Sequence, residues 1–244
     1  MTIIKYNQQY SLCQSSDGRT FHYSDGAVES VCLRWVQLSK KENYPEVKVT
    51  FRNGEVYNWD TIPKCVGGYL YQFGVSVSYD GRFVFCQTWD RGLYALDAKT
   101  GDIIWKTKSR RGVTNIFINA DSVLCCQHEK ALQLLDINNG EVFKELKTTA
   151  WGFESIDKAH IVCRIRANEW CLIESTTLDI VETFSNREFT DGHTDYVVQT
   201  IDIVDGKIHV CGFKNVWDNS TKPATMLPNL TFENIIETKT KLKS

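Results

Sequence analysis

The chain has 244 residues, 42% hydrophobic and 24% charged, a globular balance that excludes a disordered or collagen-like polymer. Its 28 basic and 30 acidic residues give a net charge of −2, which argues against a general binder of nucleic-acid phosphates. No apolar run approaches the roughly 20 residues of a membrane helix, and Met1 to Asn7 holds no long apolar stretch or small-residue cleavage site. A cytoplasmic protein with no membrane partner is therefore expected.

Residues 1–63 are the least regular part of the chain. Arg19 to Ser24, ahead of Asp25-Gly26, and Glu55 to Trp59, ahead of Asp60, read as third strands of a unit that becomes clear farther on. From Gly74 to Lys108 the pattern is sharp. Val75, Val77 and Tyr79 alternate with polar residues, as one face of a strand does. Asp80-Gly81 turns the chain into a second strand, Arg82 to Gln87. Trp89 to Gly92 is a loop, Leu93 to Asp97 a third strand, Ala98 to Gly101 a turn and Asp102 to Lys106 a fourth strand.

The plan then recurs. Asn115 to Asn119, Ser122 to Gln127, Ala131 to Asp136 and Glu141 to Lys147 form one unit, with Asn139-Gly140 as a hairpin signal. Phe153 to Ile156, His160 to Ile165, Trp170 to Glu174 and Ile180 to Phe184 form another. Val198 to Ile203, the Asp205-Gly206 turn, Lys207 to Phe213 and a third strand at Val216-Trp217-Asp218 form a looser one. The acid that closes each third strand falls at Asp60, Asp97, Asp136, Glu174 and Asp218, at intervals of 37, 39, 38 and 44 residues. Four short antiparallel strands repeated about every 40 residues specify β-propeller blades. The expected fold is all-β: one propeller domain spanning residues 1–244, of five or six four-stranded antiparallel blades. Repeats are clear over 74–185, and the strand at Thr231 to Leu242 is expected to close the ring beside N-terminal strands.

Leu93-Tyr94-Ala95-Leu96-Asp97-Ala98-Lys99-Thr100-Gly101-Asp102-Ile103-Ile104-Trp105 resembles the repeat of pyrroloquinoline-quinone-like and WD40-like propellers. Tyr79-Asp80-Gly81-Arg82 is similar to the turn between the first two strands of such blades, and Val216-Trp217-Asp218 to the end of a WD40 third strand. The resemblance is strongest over residues 74–147. The Gly-His pair of a regular WD40 repeat is absent, and one blade alone carries the full Thr-Gly-x-x-x-Trp ending.

Nine cysteines, an odd number mostly within strand patterns, read as reduced core thiols rather than a disulfide scaffold. Cys86, Cys125 and Cys163 share one position of the second strand in successive blades; buried packing residues explain them better than a metal cluster. No CxxC pair, phosphate loop, HExxH or GxSxG is present. His160 and His209 fall inside strands and read as structural. No metal, catalytic residue or obligatory cofactor is expected.

The loops between second and third strands, with the inter-blade connections, gather Trp, Tyr, Arg and mixed charge, the residue types of protein-binding hot spots. A partner-binding face is expected from Trp89, Asp90, Arg91, Arg110, Arg111, His128, Glu129, Lys130, Trp151, Arg166, Arg187 and Tyr196. The expected function is non-enzymatic binding of one protein partner, in its narrowest form an inhibitor or immunity protein that occludes a toxic or enzymatic protein. A small-molecule-binding or hydrolytic propeller using its central channel is the alternative. Inward-facing carboxylates would favour that alternative.

Overall fold

The computed structural model describes residues 2–6, 10–15, 18–39, 42–59, 75–88, 92–107, 112–127, 130–149, 153–166, 169–190, 196–218, 220 and 225–239. These form antiparallel sheets and one four-residue helix, α1 (Asn186–Phe189). By internal contact the chain divides into two units, residues 1–147 with 176–178 and residues 148–175 with 179–244.

Unit 1 begins with a six-stranded meander: β1 (Thr2–Tyr6), β2 (Tyr10–Ser15), β3 (Gly18–Tyr23), β4 (Val28–Ser39), β5 (Glu42–Phe51) and β6 (Val56–Trp59). Alternation builds it. Val47, Val49 and Phe51 are buried while Glu46 and Lys48 are exposed, the period-2 pattern of a strand with one covered face. Two four-stranded sheets follow: β7 (Ser76–Val77), β8 (Phe83–Thr88), β9 (Gly92–Asp97) and β10 (Ile103–Lys106), then β11 (Val113–Ile118), β12 (Ser122–Gln127), β13 (Ala131–Asp136) and β14 (Val142–Lys147). Their middle strands do not alternate. Leu93 to Leu96 and Ser122 to Gln127 are buried throughout, as strands covered on both faces must be. Phe83, Phe85, Leu93, Ala95 and Trp105 of one sheet pack against Val113, Ile116, Val123, Cys125 and Leu135 of the next.

Unit 2 contains the four-stranded sheet β15 (Phe153–Ser155), β16 (His160–Arg166), β17 (Glu169–Glu174) and β18 (Ile180–Ser185). It also contains the three-stranded sheet β19 (Tyr196–Val204), β20 (Lys207–Asp218) and β21 (Thr225–Ile236). Helix α1 starts on a capping box. The Ser185 N–H donates to Glu188 Oε2 at 2.8 Å, and the Glu188 N–H to Ser185 Oγ at 3.2 Å.

The clear repeats over 74–185 form three four-stranded sheets whose strands match the sequence reading closely. The flanking regions differ. Glu55 to Trp59 is the last strand of its sheet rather than a third strand, because the tight turn lies before it at Arg52-Asn53-Gly54, closed by the Gly54 N–H to Phe51 O at 3.0 Å. Arg19 to Ser24 lies largely in β3 of that same sheet, so it founds no further blade. Val216-Trp217-Asp218 continues β20, which pairs with β21 from Ile208↔Ile236 to Asp218↔Thr225. Thr231 to Ile236 lies in β21 and pairs along one edge with β20.

Two tryptophans join consecutive sheets of unit 1. Trp59, at the end of β6, donates Nε1–H to Ala98 O at 3.2 Å and lies on Gly101; Trp105, on β10, donates to Ile137 O at 2.9 Å and lies on Gly140. Each indole satisfies its buried N–H on the β-turn of the following sheet. Both glycines are at positive φ, 79° and 72°, and a Cβ on either would meet the indole at 2.8 Å or less.

Candidate protein-binding face

Of the residues expected to bind a partner, Trp89, Asp90, Arg91, Arg110, Arg111, His128, Glu129 and Trp151 lie outside the described residues. Lys130 is exposed in unit 1, at a turn closed by its N–H to Gln127 O at 3.1 Å. Arg166 and Arg187 are exposed in unit 2, and Tyr196 opens β19. Arg166 makes a long ion pair with Glu169 at 3.6 Å, exposed and therefore weak.

A different set of side chains is organised at the opposite strand ends of unit 1, where the turns 24–27, 52–55, 79–82, 98–101 and 137–140 converge. Local turn chemistry builds it. Asp80 accepts the Ser78 hydroxyl at 2.7 Å and the Arg82 N–H at 3.0 Å, and its second oxygen takes Arg82 Nε–H. Burial alone would raise the Asp80 carboxyl; the hydrogen bonds from Arg82 and Ser78 outweigh it and hold the pKa below the usual range. Arg82 then reaches the next sheet, donating Nη2–H to Asn138 Oδ1 at 2.8 Å, with its guanidinium 4.9 Å from the Phe83 ring centre. The side chain is exposed yet fixed by two polar bonds and a ring.

Arg52 is fixed as firmly, donating to the carbonyls of Gly26 and Tyr23. The Ala27 N–H donates to Tyr79 O at 2.8 Å, which ties two sheets and sets Tyr79 on the surface at 62% exposure. Lys99 stands 5.0 Å over the Tyr57 ring. Its pKa is raised by hydrogen bonding to Tyr57 and by the charges of Glu55 and Asp97. The pKa of Glu55 is lowered, first by the hydrogen bond from Asn53 and then by Lys99. Arg52, Tyr57, Tyr79, Arg82 and Lys99 thus form a surface of Arg, Lys and Tyr on which both arginine side chains are held before any contact. The sequence reading placed Tyr57, Tyr79 and Arg82 in strands and Lys99 in a turn, and named none of them as a binding residue. The Asp80-x-Arg82 spacing, which lets one carboxylate hold the arginine's backbone and side chain together, was the available signal.

Asp97 and Asp136 serve the turns themselves. Asp97 Oδ1 accepts the N–H groups of Lys99 and Thr100 at 2.8 and 2.9 Å, and Asp136 Oδ1 accepts that of Asn138 at 2.7 Å. His160, the first residue of β16, is structural too, its Nδ1 3.0 Å from Asp157 Oδ1 while Asp157 caps the N–H groups of Ala159 and His160. None of the eight described cysteines forms a disulfide. Burial pushes the Cys125 thiol up, and burial with the charge of Glu169 pushes Cys171 up to about 12, so neither thiol is nucleophilic at neutral pH. In unit 2, Glu154 of β15 and Asp202 of β19 interact, and Asp202 stands opposite His209 across the β19–β20 ladder. Burial of the carboxyl and the Asp202 charge raise the pKa of Glu154, although the residue as a whole keeps an exposed surface.

A protein-family model described as outer membrane protein assembly factor BamB, a PQQ-type repeat family, matches residues 43–169, just over half of the chain. The crystal structure of BamB from Moraxella catarrhalis is similar with a TM-score of 0.47 and 15% identity, covering 94% of this chain and 63% of that one. The chain therefore spans less than two-thirds of that protein's length. The WD40 β-propeller domain of Doa1 is similar at a TM-score of 0.44 and 13% identity, over 95% of this chain and 86% of that one. The computationally designed Ika8 protein is similar at 0.44 and 11%, over 90% and 85%. No curated protein matches.

Proposed function

The chain belongs to the PQQ-type repeat family described as outer membrane protein assembly factor BamB, and from that membership we propose that it is a non-enzymatic propeller that binds a protein partner. The observation that carries the reading is Arg82, exposed yet held by Asp80, Asn138 and the Phe83 ring. Binding costs side-chain entropy, on the order of 0.5–1.5 kcal/mol for each flexible group immobilised. An arginine fixed in advance avoids that cost. With Tyr79 exposed in the same turn, it has the composition of an interface centre.

The test is an alanine scan of both ends of the strands against a partner cross-linked and purified from the native host. Tyr79→Ala or Arg82→Ala should each cost at least about 2 kcal/mol, roughly thirtyfold in affinity, with the protein still folded. Loss confined to Lys130 would move the docking surface to the opposite end. A narrower form is that the partner is a toxic or enzymatic protein occluded by the chain; stoichiometric addition should then abolish the partner's activity.

A second reading, a small-molecule site, is favoured by one feature: Glu154, Asp202 and His209 gather on the first strands of two consecutive sheets and the strand beside them. A small cationic ligand lost in a Glu154→Gln, Asp202→Asn variant, with partner binding intact, would support it.

A further inference from the structure

Four edge strands begin in the same way. Glu55-Val56-Tyr57, Asp102-Ile103-Ile104, Glu141-Val142-Phe143 and Asp179-Ile180-Val181 each follow the positive-φ residue of a turn, respectively Gly54, Gly101, Gly140 and Leu178. In every case the carbonyl of the acid closes the turn, accepting the N–H of Phe51, Asp97, Asp136 or Glu174 at 2.8–3.0 Å. The turn uses the backbone of the acid. The carboxylates of Glu55 and Asp102 also accept from Asn53 Nδ2 and Thr100 Oγ1 of the same turns, at 3.0 and 2.9 Å, and all four acids are exposed. Tyr57 packs against the core beside Phe51, but most of the other apolar residues are well exposed: Ile104 is 48%, Val142 47% and Phe143 59% exposed. Packing accounts for apolar residues on the inner strands, but not for a repeated acid–apolar–apolar triplet on the outer ones.

Each triplet opens the last strand of its sheet. Among the described residues β6, β10, β14 and β18 pair on one side only. The open side of such a strand presents a ladder of backbone donors and acceptors, and another extended strand is the structure that satisfies it. Side chains directly opposite on antiparallel strands lie about 4.5–5.5 Å apart at Cβ, close enough for charges and apolar groups to pair. An incoming strand antiparallel to the edge meets the two apolar residues first and the acid next.

We propose that β14 is a docking edge for an extended segment of a protein partner that carries two apolar residues followed by Lys or Arg. This deepens and rests on the protein-binding reading. β14 is the longest of these edges in unit 1, six residues, all exposed except half-buried Leu146. A second copy of the chain fits poorly. A two-fold axis sets one residue of the edge opposite its own copy, and at the centre of β14 that residue is Lys144 or Glu145, like charge on like charge.

The test uses the full chain and two capped nine-residue peptides of β-branched residues, identical except for Lys or Glu after the apolar pair. The Lys peptide should bind at least tenfold more tightly than the Glu peptide, with amide-exchange protection over 142–147. Glu141→Lys should invert the preference, Phe143→Thr should weaken binding at least fivefold, and N-methylation of alternate peptide nitrogens should abolish it. No binding to folded wild-type protein, an unchanged preference in E141K, protection confined elsewhere, or a dimer through β14 would each overturn the proposal. If the turn-end alanine scan loses the partner while neither peptide binds, the edge proposal fails and the protein-binding reading stands.

Discussion

Trp105 donates its indole N–H to Ile137 O at 2.9 Å while its ring covers Gly140, so a residue of one sheet completes the turn of the next. Gly140→Ala meets two obstacles there, a φ of 72° and a Cβ 2.5 Å from the ring. Gly54→Ala meets only the first, since its φ of 90° opens onto empty space. Gly54→Ala should cost about 1–2 kcal/mol, and Gly140→Ala at least 1 kcal/mol beyond that, the usual range for overpacking being about 1–3 kcal/mol. Urea denaturation of the two variants checks the order; equal costs would mean that the indole yields freely.

Replacing Asp97 should cost more than replacing Asp136, because it releases two backbone N–H groups rather than one. On the order of 1–2 kcal/mol is expected for Asp97→Ala and about 1 kcal/mol for Asp136→Ala. Partner affinity measured on the folded fraction should stay within twofold of wild type. A large loss of affinity with unchanged melting would assign these acids to the interface.

Leu178 occupies the turn position held by Gly101 and Gly140, at φ 56°. Leu178→Gly relieves about 1–2 kcal/mol of backbone strain but removes a side chain that is 3% exposed. Loss of a buried leucine typically costs 2–5 kcal/mol, so burial wins and the variant should be less stable. A raised melting temperature would show that the side chain packs poorly.

Glu154 has a raised pKa in the folded protein, from burial and from Asp202. A carboxyl raised on folding binds its proton more tightly in the native state, so stability declines as pH rises from the unfolded-state pKa through the folded one. Glu154→Gln should therefore melt higher than wild type at pH 7, with the difference shrinking toward pH 4. A constant difference across that range would remove ionisation as its cause.

Cys163 and Cys171 are directly opposite on β16 and β17 and should nonetheless remain reduced. The Ser175 N–H to Ala159 O bond at 2.7 Å fixes the phase of the ladder and puts this pair at a hydrogen-bonded site. Cβ atoms of such pairs lie near the upper end of the roughly 4.5–5.5 Å range, beyond the ~3.8 Å mean of a disulfide. Thiol titration in denaturant, without reductant, should count both as free. Recovery of a peptide joining them would refute this.

The four-stranded repeats were legible because each signal was local. Asp80-Gly81 and Asn139-Gly140 mark turns, and the strands between are too short and β-branched to be helices. The region before Pro63 misled because Glu55 to Trp59 was aligned by its terminal acid. The informative residue was Trp59, the counterpart of Trp105, and its role appears only when Ala98 is seen beneath it. Val216-Trp217-Asp218 misled similarly, since its sequence matches a strand ending while β20 runs 12 residues without a break. The organised turn face was not legible, because Arg82 and Asn138 are 56 residues apart in sequence and meet only through the packing of two sheets.

The tryptophan joints also bear on how such a chain can lengthen. The sheet β7–β10 both receives an indole, from Trp59, and sends one, from Trp105. A duplicated copy inserted beside it inherits a matching socket and plug and can be accommodated at once. A copy spliced in after β14 meets Lys144 at the place where Trp105 stands in the sheet before, and has no plug to receive. By these joints, an added sheet is accommodated more readily in the middle of unit 1 than at its end.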